Sequence, residues 1–169
     1  MPGGVGVIVE CETDNKLRTL AAVRLAIKEG GGTASPCSYL FEKKGRIVFE
    51  AKEGLGSVDA LDAALEAGAT DVDELRDGKI VVFAEPEKTV AVGEAMTKKL
   101  GLGIETSDII WDPNEDTKVP LASENAAADL GAFLDDIQEK ETSVQAIALN
   151  IAQGSLSTET WKDLQDSMP

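Results

Sequence analysis

The chain has 169 residues, 43% apolar and only 4% aromatic, with a formal net charge of −15. That length suits one large domain or two small ones, with Val, Ile, Leu and Ala rather than rings filling the cores. Histidine is absent, which removes the commonest general base and metal ligand, and no apolar run approaches the roughly 18 residues that span a bilayer.

The chain opens with Met1-Pro2-Gly3-Gly4 and runs straight into Val5-Gly6-Val7-Ile8-Val9-Glu10-Cys11, a short β-branched run that reads as a buried strand. No secretory signal stands before it, and so abrupt a start leads us to expect further sequence upstream. Thr13-Asp14-Asn15 supplies side chains that cap a helix, predicted from Lys16 to Glu29 with Leu20, Val23 and Ile27 inward and Gly30-Gly31-Gly32 as its stop. Cys37 to Phe41 reads as an apolar strand, Lys43-Lys44-Gly45 as a turn, and Arg46 to Glu50 as the next strand. A helix over Ser57–Ala67 takes Ser57 as cap and Val58, Leu61, Ala64 and Leu65 as inner face, before Gly68. Thr70 to Leu75 is an edge strand, Asp77-Gly78 a hairpin turn and Lys79 to Ala84 a strand. Pro86 opens a helix that reaches Leu100, and Ile104 to Trp111 closes the set.

From Arg46 to Trp111 the order is thus β-α-β-β-α-β, the ferredoxin-like pattern. A helix over Ser123–Glu139 and a strand over Val144–Asn150 follow, then a short amphipathic tail with Leu156, Trp161, Leu164 and Met168, expected to dock on its own protein. The flanking pieces cannot bury their apolar faces alone, so they should form one domain together. The fold class expected is α+β: a discontinuous domain of residues 1–44 and 114–169, and an inserted ferredoxin-like domain of residues 45–113.

Chemistry is poorly represented. Cys11 and Cys37 are not in a CxxC pair and read as buried free thiols, and two cysteines without histidine make no zinc site. The glycines of Pro2–Gly6 precede a strand, whereas a phosphate loop follows one. Asp71 with Asp73, and Asp135 with Asp136, read as solvated pairs. We expect no catalytic residue, no metal, no cofactor, no small-molecule substrate and no membrane insertion.

Charge is uneven along the chain. Residues 1–48 carry seven Lys/Arg against five Asp/Glu, 49–121 seven against seventeen, and 122–169 two against nine. Any nucleic-acid contact must therefore be local to the first segment. The candidates there are Lys16, Arg18, Arg24 and Lys28 on the first helix, with Lys43, Lys44 and Arg46 after it. Against them stands the bland reading of an ordinary solvated helix face.

Several stretches resemble the YebC/PmpR family: Pro2-Gly3-Gly4-Val5, Val9-Glu10-Cys11-Glu12-Thr13-Asp14-Asn15, Arg18-Thr19, Val23-Arg24, Gly31-Gly32, Phe41-Glu42-Lys43-Lys44-Gly45, Ala67-Gly68-Ala69 and Glu85-Pro86-Glu87. The resemblance runs from about Pro2 to Ile151. It implies three domains, an N-terminal helical domain and the two outlined above, with Thr13, Asp14 and Asn15 as a family motif. Ala34-Ser35-Pro36-Cys37 replaces the glycine-rich stretch usual in bacterial members, and the tail with Trp161 is an addition. Both departures point to the mitochondrial branch.

The resemblance implies a translational activator of respiratory-chain subunit synthesis in the mitochondrial matrix. It would bind messenger RNA, ribosomal RNA or the mitochondrial ribosome, mainly through the absent N-terminal domain. A DNA-binding transcriptional regulator, cytoplasmic if the source is bacterial, is one alternative, and a small-molecule-sensing ferredoxin-like module another. No recognition helix or aromatic platform for bases is evident, which leaves shape and phosphate recognition.

Overall fold

A computed structural model describes residues 3–168 and shows an α+β fold. In chain order the elements are β1 (Val7–Cys11), α1 (Lys16–Glu29), β2 (Phe41–Phe49), α2 (Ser57–Ala67), β3 (Asp71–Glu74) and β4 (Ile80–Ala84). They continue with α3 (Thr89–Leu100), β5 (Ile104–Pro113), β6 (Val119–Pro120), α4 (Glu124–Lys140), β7 (Val144–Leu149), β8 (Ile151–Ala152) and α5 (Thr158–Asp166). Two compact units result: one comprises the chain up to Glu42 and again from Asp112, the other Lys43–Trp111.

In the discontinuous unit, β1 pairs antiparallel with β7, Val7 opposite Leu149 and Val9 opposite Ile147, with a bulge at Glu10/Cys11. Helix α4 lays Ala127, Leu130, Phe133, Leu134 and Ile137 into the core at helical spacing, where Ala26 of α1 and Ile147 and Leu149 of β7 meet them. Each fully buried Leu, Ile or Phe among them contributes about 1.5–3 kcal/mol. Helix α5, capped by Ser157, buries Leu164 and packs Trp161 and Met168 against the same core. The parallel pair β6–β8 has no counterpart in the sequence reading, because two-residue strands carry no periodicity.

Asn150, only 1% exposed, satisfies all its polar groups. Its Oδ1 accepts from Gly6 N at 2.6 Å and its Nδ2 donates to Thr117 O at 2.8 Å. Its backbone N donates to Gly6 O, and its O accepts from Val119 N.

In the inserted unit the strand order is β3-β4-β2-β5, the ferredoxin-like order, with β4 antiparallel to both β2 and β3. Ile47 and Phe49 of β2 stand opposite Val82 and Ile80 of β4. That face packs on Ala60, Ala63 and Ala64 of α2 and on Val92 and Met96 of α3. Glycines at positive φ end α2 (Gly68, φ 93°) and α3 (Gly101, φ 65°), where the carbonyl of the helix end must be met without a Cβ penalty.

Four expectations are corrected. Cys37–Leu40 is not a strand: Ser38–Leu40 forms a 3₁₀ turn, and the strand begins at Phe41. Lys43-Lys44-Gly45 is not a turn, since β2 runs straight through it and pairs Gly45 with Ala84. Gly45 is small for a packing reason instead, because a Cβ there would lie 1.8 Å from Oγ1 of buried Thr89, which donates to Pro86 O at 2.9 Å. This joins the Phe-Glu-Lys-Lys-Gly and Glu-Pro-Glu stretches physically. The inner face of α2 is alanine rather than Val58, Leu61 and Leu65, and its N-cap is Gly56 rather than Ser57. On α1, Leu20 faces solvent, while Thr19 and Ala26 are buried with Val23 and Ile27 half-buried beside them.

The same substitution should have opposite signs at two glycines. Gly45→Ala forces a clash and should destabilise the protein by about 1–3 kcal/mol. Gly131→Ala, inside α4 with nothing within 4 Å of the new Cβ, should stabilise it by about 0.5–1 kcal/mol. Urea unfolding of the two variants beside the parent checks both signs.

Candidate nucleic-acid interface

Helix α1 starts where Asn15 Oδ1 accepts from Arg18 N at 3.1 Å. Thr13 Oγ1 accepts from Asn15 N at 3.1 Å and from the Thr19 hydroxyl at 2.9 Å. The Thr13-Asp14-Asn15 motif is thus a capping device that fixes the helix entry. Asp14 pairs with Arg18 at 3.6 Å, both exposed, a contact of at most about 1 kcal/mol.

Behind this cap lies Glu141, only 4% exposed although ionisable. The Ser143 side chain foremost, then the Ser143 N–H at 3.0 Å, Thr19 and the Arg18 charge hold its carboxyl below the usual range against the opposing effect of burial. An open groove beside it is lined by Glu12, Thr13, Asp14, Thr142, Ser143 and Gln145. Two carboxylates and no cation make that groove a poor phosphate site.

Lys16, Arg18, Arg24 and Lys28 are all exposed on α1, and Lys16, Arg24 and Lys28 form no ion pair among the described residues. Lys28 lies in the last turn, where the helix dipole favours a cation. The sequence reading missed what lies between them: Leu17, 80% exposed, with Leu20 and Leu25, also exposed. At about 100° per residue Leu17 falls between Arg24 and Lys28, so helical spacing alone gave the signal. The face is mixed, cationic and aliphatic.

Lys43, Lys44 and Arg46 lie on β2 and belong to the inserted unit. Lys43 is exposed, with its Nζ 4.7 Å from the centre of the Trp111 ring. Lys44 and Arg46 are half-buried, alternating with Gly45 and Ile47 along the strand. The seven candidates therefore divide four and three between the units.

Both cysteines are free and half-buried rather than buried, Cys37 Sγ donating to Val7 O at 3.5 Å. Burial pushes the Cys11 thiol up, away from reactivity. Among the described residues no group of three or more His, Cys, Asp or Glu is placed to hold a metal ion. No described helix is long and apolar enough to cross a membrane.

Residues 1–151 match the family described as TACO1/YebC second and third domain. The chain belongs to that family. A probable transcriptional regulatory protein of Mycobacterium tuberculosis (strain ATCC 25618 / H37Rv) is 40% identical over 149 residues, which is 85% of this chain and 58% of that protein. One from Nitrosomonas europaea is 38% identical over 148 residues, 83% of this chain and 59% of the relative. The chain thus spans under two thirds of the length of these relatives. A crystal structure of a conserved hypothetical protein from Aquifex aeolicus superposes with a TM-score of 0.72 at 36% identity, covering 93% of this chain and 64% of that one. The α5 tail lies beyond the matched family region.

Glu141 makes the cap pH-dependent. Its folded-state carboxyl is depressed, so its contribution is present above the ordinary glutamate range and is lost as pH falls through the folded value. The parent should therefore lose stability on acidification from pH about 5 to 3 more steeply than Glu141→Gln. Urea midpoints across that range measure it, and parallel curves would assign the acid loss to other carboxylates.

Proposed function

We propose that this chain is the non-enzymatic, partner-binding portion of a nucleic-acid-associated regulator of gene expression, of the transcriptional type for which its bacterial relatives are named. The observation that carries the reading is the pairing of those names with the unpaired cations of α1 on an otherwise acidic chain. The relatives cited favour this regulator over the mitochondrial translation factor implied by resemblance, and their bacterial sources lend the mitochondrial matrix no support. DNA is accordingly the favoured nucleic acid, with RNA the competing one.

The physics limits what this chain contributes. The three unpaired cations of α1 neutralise few phosphates, and a net charge of −15 opposes approach. Helix α1 carries no Asn or Gln, and leucines separate its Arg and Lys, so its exposed face suits phosphates better than base edges. Binding should be weak, indifferent to sequence and steeply salt-dependent. The groove at Thr13 and Asp14 takes no part, and Arg18 is paired with Asp14 at the surface.

The test compares Arg24→Glu with Lys28→Glu as one double variant against Lys98→Glu with Lys162→Glu, an equal charge change at exposed sites on α3 and α5. Anisotropy of a short labelled DNA duplex, and separately of a structured RNA, is titrated between about 50 and 200 mM salt. The α1 pair should lower the salt slope by about two units, one per lost phosphate contact, and the control pair should leave it unchanged. Equal losses from both pairs would reduce the effect to net charge. Tighter binding of the RNA would return the reading to translation.

A further inference from the structure

Helix α2 is amphipathic the wrong way round. It buries Ala60, Ala63 and Ala64 and presents Val58 (82% exposed), Leu65 (53%) and Leu61 (40%) to solvent. The buried alanines let the helix sit close on β4 and α3, so the inward face needs no larger side chain. Nothing about folding requires aliphatic residues outside. At about 100° per residue Val58 and Leu65 project within about 20° of each other, with Leu61 about 60° from Val58. Single exposed leucines are ordinary, but three at i, i+3 and i+7 opposite an alanine face form a continuous stripe.

The surroundings are acidic. Asp59, Asp62 and Glu66 are exposed on α2 itself, with Asp62 about 40° from Val58. Edge strand β3, beside α2, adds exposed Asp71, Asp73 and Glu74. Among the described residues the one cation paired with this helix is Lys99, which meets Glu66. Across Lys43–Trp111 as a whole, nine Lys/Arg stand against fourteen Asp/Glu.

We infer that the outer face of α2 is a docking surface for a basic amphipathic helix of a partner protein, its apolar residues laid along Val58, Leu61 and Leu65 and its Lys/Arg flanks facing the carboxylates. The charge excludes a nucleic acid as occupant, because every phosphate would meet this acidic rim. An added β-strand is excluded at β3. The outward N–H groups of Val72 and Glu74 are already taken by the carboxylates of Asp71 (2.8 Å) and Asp73 (2.7 Å). A single helix laid along such a stripe buries an area at the low end of specific interfaces, which fits a reversible, micromolar contact. This surface belongs to the inserted unit, whereas α1 belongs to the discontinuous one, and it goes beyond the nucleic-acid reading.

The test uses the whole chain and, as probe, a labelled amphipathic peptide of Leu and Lys with leucines at i, i+3, i+4 and i+7. A scrambled peptide of the same composition and a Leu/Glu peptide of the same pattern serve as controls. The parent should bind the amphipathic Leu/Lys peptide at micromolar concentration at physiological salt, and at least tenfold more tightly than either control. The variant Val58→Ala, Leu61→Ala, Leu65→Ala keeps the net charge and favours helix, so its Tm should stay level or rise while its affinity falls at least tenfold. Equal affinity of parent and variant would overturn the inference, leaving a purely electrostatic contact. A marked fall in Tm would also overturn it, by showing that the three side chains pack within the protein. Loss of binding by Asp62→Asn alone, smaller than that of the triple variant, would support the charged flank.

Discussion

Closure of the discontinuous unit depends on Asn150, whose side chain and backbone together hold three separate stretches of chain. Gly6 precedes β1, Thr117 and Val119 lie on the segment returning from the insertion, and Asn150 itself sits between β7 and β8. Thr117 in turn donates its hydroxyl to Leu40 O at 3.0 Å, and Asn114 N reaches the same carbonyl. One chain of hydrogen bonds thus runs from β1 through Asn150 to both points where the insertion leaves and returns. Each of these groups is buried or half-buried, and one left without a partner costs about 1–3 kcal/mol. The network is worth having only when complete, so the β1–β7 pairing and the closure of the crossing stand or fall together.

How much of this was legible depends on whether the signal was local. Helix starts at Asn15 and Ser123 and stops at Gly68 and Gly101 could be read from single residues, because caps act within one turn. Strand order in the insertion followed from the element pattern. Asn150 was not legible at all: its side-chain partners lie 144 and 33 residues away. Gly45 was misread for a related reason. A glycine beside two lysines looks like a turn, and only the distant Thr89 explains it. On α2 the hydrophobic pattern misled because alanine scores little in any apolar periodicity, yet here it marks the buried side.

The candidate interface was legible as a list of charges and not as a surface. Sequence found the cations of α1 but could not say that Arg18 pairs with Asp14, or that leucines stand among the remaining ones. It grouped Lys43, Lys44 and Arg46 with them by proximity in the chain, whereas they share β2 with the core of the inserted unit. Charge composition sets the larger limit, since a strongly acidic chain opposes the approach of an anionic polymer except where cations stand together without partners.

The ends of the inserted unit meet each other. Lys43 and Trp111 are its first and last residues, and the ammonium sits over the indole ring. On the other side of the crossing, Leu40 and Asn114 are joined by a hydrogen bond. This bears on the order of folding. A long unstructured loop taxes the outer unit with its closure entropy before β1 can find β7. An insertion that has already folded delivers its two ends side by side, so that tax is met in advance. The outer unit then has the kinetics of a nearly continuous chain, and substitutions that slow the folding of the insertion delay the whole protein.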